Sequence, residues 1–147
     1  MNTKRGFTLI ELMVVIAILG ILGATAVQCY RVMQRRACGS EAAMMLRQVV
    51  DGEIMHFLEH EKFFPEVGQT IAVFHEDLPS KAEIAQIRDA LNVTVPVGHF
   101  LDFTITTLPG QTCMVTISSY GNSFPLFKNG SPSITGSVDK TGKVDML

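Results

Sequence analysis

The spacing of apolar residues changes twice along the chain. From Phe7 to Val27 nearly every position is apolar, and Glu11 is the only charged residue. About 20 apolar helical residues are enough to cross a bilayer, so this segment is predicted to be a transmembrane helix. A secretory signal peptide is the alternative. Its apolar run is shorter and ends at small residues, a pattern that Ala24-Thr25-Ala26 matches only weakly.

Beyond this segment the helical pattern continues but becomes amphipathic. No proline interrupts the chain before Phe64-Pro65, which predicts one helix from Phe7 to about Phe63. In its second half apolar residues recur at steps of four and three, as in a helix that lays one stripe on a globular domain. The predicted stripe is Ala42, Leu46, Val50, Ile54 and Phe57, and the charged residues assigned to other faces are Arg35, Arg36, Arg47, Glu53 and Glu59.

The second change is to a period of two, from Phe100 onwards. Alternating apolar residues predict two strands joined at Pro109-Gly110, and two more are predicted over 134–139 and 143–147 around a turn at 140–142. Between helix and strands, the spacing of Ser80 and Glu83 predicts a capping box that starts a short helix over 80–91. The predicted fold class is therefore α+β, with a long N-terminal helix packed on a small antiparallel sheet.

Charge and composition exclude some functions. The formal net charge is −2, from 12 Lys and Arg against 14 Asp and Glu. The basic residues beyond residue 65 are few and scattered, so a nucleic-acid partner is not expected. The high apolar content of 47% is concentrated in the N-terminal segment.

The N-terminal residues carry a specific motif. Lys4-Arg5-Gly6-Phe7-Thr8-Leu9-Ile10-Glu11 precedes the apolar run, and this resembles the prepilin cleavage and methylation motif of type IV pilins and type II secretion pseudopilins. The resemblance is close over about the first 24 residues and looser as far as Phe64-Pro65. It implies a type IV pilin fold, leader cleavage between Gly6 and Phe7 by prepilin peptidase, N-methylation of Phe7, and Glu11 as the matching assembly glutamate.

Physical chemistry supports a functional role for Glu11. A carboxylate within a bilayer costs about 2.5–3.5 kcal/mol and calls for a cationic partner. Cleavage after Gly6 creates one, the amine of Phe7. Pairing of Glu11 in one subunit with Phe7 in its neighbour is expected to select a single axial register among apolar helices. The alternative is a Glu11 side chain that reaches the headgroups.

Two glycines, Gly20 and Gly23, interrupt the apolar run and predict local helix flexibility and close helix approach. Several members of the family lose helical structure near the first of these positions on assembly. Gln28 stands where most major pilins carry proline, which weakens the expectation of unwinding here and favours a minor pilin or pseudopilin.

Other patterns suggest chemistry less strongly. His56-Phe-Leu-Glu59-His60 matches the His-x-x-Glu-His pattern of some zinc proteases, but a catalytic zinc site needs a third ligand in a cleft. A solvated helix face is the preferred interpretation. No catalytic residue, metal ligand or cofactor is therefore predicted, and His75 and His99 are expected in loops.

Three cysteines, Cys29, Cys38 and Cys113, are expected to face an oxidising periplasm. Cys38 lies on the helix and Cys113 on a predicted strand packed against it. A Cys38–Cys113 disulfide is the preferred pairing, free buried thiols are the alternative, and Cys29 is left over.

Together these features predict a cleaved leader (1–6), a transmembrane and assembly half-helix (7–27) and a periplasmic or extracellular globular domain (28–147). The predicted function is that of a non-enzymatic pilus subunit serving adhesion or motility. It is expected to insert in the inner membrane with a cytoplasmic N-terminus and to polymerise with itself into an extracellular filament, with an inner-membrane assembly machinery as a further partner. The alternatives are a secretion pseudopilin or minor competence pilin, and a plain anchored periplasmic binding domain.

Overall fold

The structure is a computed structural model that describes residues 7–98 and 100–146. Its elements confirm the predicted α+β class. The long helix ends three residues earlier than predicted, since Glu61 takes a left-handed conformation with φ of 57°. In chain order the elements are α1 (Leu9–His60), β1 (Thr70–Val73), α2 (Ala82–Leu91), β2 (Leu101–Leu108), β3 (Thr112–Ser119), a 3-10 turn (Tyr120–Asn122), β4 (Ser133–Asp139) and β5 (Val144–Met146).

Packing divides the chain into two compact units, residues 1–34 and 35–147. In the first unit, nearly all the described residues are exposed, including the large apolar ones. Within the described residues, α1 is long and apolar enough to cross a membrane, and its most apolar window has none of its surface buried. A lone helix with this composition has no protein core to enter, so its apolar surface needs lipid or other helices.

In the second unit, the amphipathic half of α1 buries one stripe. The predicted members Ala42, Leu46 and Val50 are buried, whereas Ile54 and Phe57 are only partly buried. The stripe is wider than predicted, because Cys38, Gly39, Val49, Gly52 and Glu53 are also buried. Two glycines allow close approach: a side chain on Gly52 would meet the Leu91 carbonyl oxygen, and one on Gly39 would meet that of Leu126.

The sheet has the order β1-β2-β3-β4-β5, and every neighbouring pair is antiparallel. Alternate residues of β2 and β3 face the core, which confirms the predicted period of two. The turn between them uses Gly110 and Gln111 with positive φ. The sheet has five strands and not the predicted four, because β1 was not predicted from the sequence.

The predicted capping box of α2 is wrong, although the helix and its apolar face are confirmed. Ser80 does not cap the helix, which begins at Ala82 after Lys81 and has no side-chain cap bond. Instead, the Lys81 ammonium group donates to the Ala72 carbonyl oxygen and to Asp77, at 2.8 Å each. This ties the start of α2 to the end of β1.

One carboxylate holds three segments of the second unit together. Asp102 on β2 accepts hydrogen bonds from the backbone N–H of His75 (2.9 Å) and of Gly121 (3.1 Å). The ring of His75 lies in the loop after β1, as predicted, and contacts the same carboxylate at 3.3 Å. His99, also predicted in a loop, lies outside the described residues.

Candidate functional site

The start of α1 carries a reciprocal capping arrangement. Thr8 precedes the first helical residue, and its hydroxyl accepts a hydrogen bond from the Glu11 N–H at 3.3 Å. In return, Glu11 Oε2 accepts from the Thr8 N–H (2.9 Å) and from the Thr8 hydroxyl (2.7 Å). This is a capping box, which satisfies N–H groups that have no partner within the helix. The sequence analysis missed it, although Thr-x-x-Glu before an apolar run is its usual signal.

The predicted assembly residues lie together at this end of the helix. Phe7 is 81% exposed, and a shallow groove of about 360 Å³ runs beside it, lined by Phe7, Ile10, Glu11, Val14 and Val15. Within the described residues, both hydrogen bonds that the Glu11 carboxylate accepts come from Thr8. Gly6, the predicted cleavage residue, lies outside the described residues.

Thr8 gives Glu11 hydrogen bonds but no countercharge. Both donors are neutral, and no other charged residue occurs between Phe7 and Val27. A carboxylate in an apolar environment is stabilised by neutral donors and, more strongly, by a cation. The capped Glu11 is thus held in a fixed position with its charge still available to a partner.

Gly20 and Gly23 lie inside an unbroken stretch of α1. A Cβ atom on either glycine would meet nothing within 4 Å, so the helix surface is open at both positions. Nearby, the hydroxyl of Thr25 donates to the Leu22 carbonyl oxygen at 2.9 Å, which satisfies a polar group on an otherwise apolar surface. Helix flexibility at the two glycines stays a prediction.

The histidine pair near the end of α1 contacts its own backbone. The rings of His56 and His60 stack with centroids 4.4 Å apart. Nδ1 of His56 lies 2.9 Å from the Lys62 carbonyl oxygen, and Nδ1 of His60 lies 3.2 Å from that of His56. Hydrogen bonds donated by these nitrogens satisfy carbonyl oxygens at and just beyond the end of the helix. In the part of the chain that the structure describes, no three His, Cys, Asp or Glu residues are grouped to hold a metal.

The predicted Cys38–Cys113 disulfide is wrong in this structure. All three cysteines are free thiols. The Cys113 thiol lies against Glu53 on α1, and Glu53 is fifteen residues along the helix from Cys38, which is about 22 Å at 1.5 Å per residue. A disulfide requires Cα atoms within about 7 Å. Both thiols are buried, as in the alternative considered above, and Cys29 is exposed.

The prediction that Glu53 lies on an outer face of α1 is wrong. It was assigned to a charged outer face, but the structure buries it completely in the core stripe. The available signal was its spacing, because Glu53 follows Val50 by three residues and precedes Phe57 by four. This spacing was overlooked because a charged residue is usually exposed.

Taken together, the structure defines an α+β protein with an apolar, capped N-terminal half-helix and an amphipathic half packed under an antiparallel sheet. Comparison with known proteins identifies a motif at the N-terminus of this fold. Residues 1–27 match the family model described as the prokaryotic N-terminal methylation motif.

Curated relatives agree with this match. The chain is 45% identical over 64 residues to the type IV major pilin protein PilE1 of Neisseria gonorrhoeae, covering 43% of this chain and 39% of the relative. It is 34% identical over 104 residues to the type IV major pilin protein PilA of Myxococcus xanthus, covering 65% and 46%. A fimbrial protein of Moraxella nonliquefaciens is 60% identical over 42 residues, covering 29% and 27%. The matches thus cover less than half the length of these relatives. No solved structure matches the chain.

The N-terminal part of the chain is therefore similar to the corresponding part of type IV major pilins and fimbrial proteins.

Proposed function

We propose that this protein is a structural subunit of a type IV pilus, with no enzymatic role. The observation that carries the proposal is the N-terminal half of α1, which leaves an entire apolar surface exposed while it fixes one carboxylate at its start. Such a helix gains stability only by entering lipid or by packing with copies of itself. The relatives are named as major pilins and fimbrial proteins, which favours a pilus subunit over a secretion pseudopilin or a plain anchored domain.

Processing creates the partner of the carboxylate. The proposed peptidase cleaves after Gly6, and the new amine of Phe7 is methylated but stays cationic. The proposal assigns residues 1–6 to the leader, 7–27 to the membrane and filament core, and 28–147 to the exported domain. The subunit waits in the inner membrane with its N-terminus in the cytoplasm and leaves it for an extracellular filament, through an inner-membrane assembly machinery.

The capping box gives the proposed charge pair its geometry. Thr8 holds the Glu11 carboxylate at the first turn, so an incoming subunit presents the charge at a defined height along its helix. When Glu11 meets the Phe7 amine of a neighbour in a low-dielectric core, only the register that pairs them avoids an isolated charge. Apolar side chains alone favour no single register.

Two matched substitutions separate charge from capping. Glu11→Gln retains an oxygen that can accept from the Thr8 N–H but removes the charge. Thr8→Ala removes the hydroxyl that caps the helix but retains the charge. In cells without the wild-type protein, we expect Glu11→Gln to remain in the membrane but to lose filaments, while Thr8→Ala assembles at a reduced yield. The measurement is the ratio of subunit in sheared filaments to subunit in membranes.

Normal filament yield from Glu11→Gln would refute the charge pair. If Thr8→Ala loses filaments while Glu11→Gln keeps them, the role of Glu11 is to cap the helix and not to supply a charge. Intact mass and N-terminal sequencing of the wild-type filament subunit test processing separately, with a methylated Phe7 as the expected first residue. A retained Met1 would contradict the cleavage step.

A further inference from the structure

A second carboxylate, Glu53, lies in the core of the second unit. Its side chain is 0% exposed. Oε2 accepts a hydrogen bond of 3.0 Å from the N–H of Phe64, four residues beyond the end of α1. Oε1 has no hydrogen-bond partner among the described residues. An ionised carboxylate in this position would be buried with a single neutral donor, an arrangement that costs several kcal/mol in a protein interior.

Among the described residues, no cationic side chain contacts the Glu53 carboxyl group, although Lys62 lines a nearby groove with Thr107. From β3 comes the thiol of Cys113, which lies beside the Glu53 carboxyl group and donates its hydrogen to the Phe64 carbonyl oxygen at 3.8 Å. Next to Cys113, β2 contributes the hydroxyl of Thr107, which is buried and likewise unpartnered among the described residues. On α1 itself, His56 lies one turn further on, with Nδ1 at the Lys62 carbonyl oxygen. β4 contributes the apolar Val138, which pairs with Cys113.

These contacts join three parts of the unit. We name Glu53, Phe64, Thr107 and Cys113 the Glu53 cluster, and residues 61–69 the post-helix loop. The N–H of Phe64 donates to Glu53 on α1, and the carbonyl oxygen of Phe64 accepts from Cys113 on β3. Phe64 therefore joins the post-helix loop to both the helix and β3 at the Glu53 carboxyl group and the thiol beside it. The ends of the loop are held separately, by the contact of His56 with the Lys62 carbonyl oxygen and by backbone hydrogen bonds of Gly68 and Gln69 to Thr107.

We propose that Glu53 is a neutral carboxylic acid in the folded protein at neutral pH, and that its ionisation opens the contacts that hold Phe64 to α1 and β3. A proton on the carboxyl group removes the unpaired charge and supplies a donor beside the sulfur of Cys113, which can accept it. Loss of that proton leaves a charge that can be hydrated only if the loop opens around Phe64. The Glu53 cluster is thus a pH-sensitive fastening between the end of the long helix and the sheet.

The direction of the pH dependence follows from burial. Burial raises the pKa of Glu53 from a usual value of 4.5 to about 8, while the Phe64 N–H and the Cys113 thiol lower it by less. An acid whose pKa is higher in the closed state stabilises that state fully below pH 4.5, and the stabilisation is lost as pH rises towards 8. The pKa of the Cys113 thiol is also raised, chiefly by burial and then by Glu53, so the thiol stays neutral over this range.

Hydrogen exchange of the full-length chain in detergent micelles tests the proposal. The quantity measured is the protection factor of the Phe64 amide between pH 5 and 9, corrected for the intrinsic rate and compared with the β3 amides. In the wild type, we expect protection at Phe64 to fall up to about tenfold per pH unit and to level off near pH 8. In Glu53→Gln, whose amide oxygen still accepts from Phe64 but cannot ionise, we expect no such fall.

Glu59→Gln is the matched control, because Glu59 is an exposed carboxylate on the same helix. It should reproduce the wild-type profile. A flat wild-type profile would overturn the proposal, as would the same slope in Glu53→Gln. An equal fall at the β3 amides would overturn it too, since ionisation would then unfold the whole unit and not the loop. If Glu53→Gln fails to fold, the wild-type comparison of Phe64 with β3 still decides.

Discussion

A methyl group added at Gly52 tests the close contact between α1 and α2. An ideal Cβ on Gly52 lies 2.8 Å from the Leu91 carbonyl oxygen, 3.1 Å from Leu91 Cβ and 3.4 Å from Val93 Cγ2. Ordinary contacts begin at 3.4 Å, so the end of α2 must move by roughly 0.6 Å. The nearest obstacle is backbone, which cannot rotate away as a side chain does.

Two opposing effects decide the sign for Gly52→Ala. Replacing glycine in a helix interior by alanine favours the helix by about 1 kcal/mol, whereas overpacking a dense core costs typically about 1–3 kcal/mol. We expect the clash to prevail, because Leu91 is itself buried and packed, and the free energy of unfolding to fall by about 1 kcal/mol. The assay is labelling of the buried Cys113 thiol against denaturant concentration in micelles at pH 7.

Ser40→Ala is the control for this substitution. Ser40 is exposed on the same helix, and among the described residues its hydroxyl bonds only to the Arg36 carbonyl oxygen one turn earlier. It therefore gains helix propensity without meeting a neighbour, and its labelling midpoint should be unchanged or higher. A Gly52→Ala midpoint at or above that of Ser40→Ala would refute the reasoning and show that α2 yields freely.

The remaining predictions concern other contacts of the second unit. Gly39→Ala should lower the same labelling midpoint by more than Gly52→Ala, because its methyl group overlaps the Leu126 carbonyl oxygen. Asp102→Ala leaves the His75 N–H without its acceptor, and hydrogen exchange at His75 should accelerate as unfolding becomes easier by about 1–3 kcal/mol. Non-reducing peptide mapping of the exported protein should recover Cys113 without a disulfide partner, and a mapped Cys113 bridge would contradict the helix register described above.

Local patterns in the sequence predicted the regular elements well. The apolar run, the stripe at Ala42, Leu46 and Val50, and the alternation in β2 and β3 each follow from burial of one face, which repeats along the element. The pairing of β2 with β3 was also predictable, because a short turn joins them. β1 was missed since it has four residues, and its partner β2 lies about thirty residues further on.

The contacts between elements were not predictable in the same way. The register of α1 on the sheet decides that Cys113 meets Glu53 and not Cys38, and this register depends on packing of residues distant in sequence. The same packing buries Glu53, whose charge alone indicates exposure. At the N-terminus, by contrast, the residues of the candidate site are neighbours in the chain. Phe7 and Glu11 could therefore be proposed from the sequence, while the hydrogen bonds between Thr8 and Glu11 needed the structure.

The outer strands of the sheet bear on how the proposed pilus subunit would avoid unwanted association through its sheet. β1 has four residues and β5 has three, so each edge presents few unpaired backbone N–H and C=O groups. Short edges give an approaching strand little to pair with, which hinders growth by sheet extension between molecules. In the proposed filament, neighbouring subunits would stand at high local concentration, where long sheet edges would favour aggregation. With short edges, the exposed apolar helix is the surface that the proposal assigns to assembly.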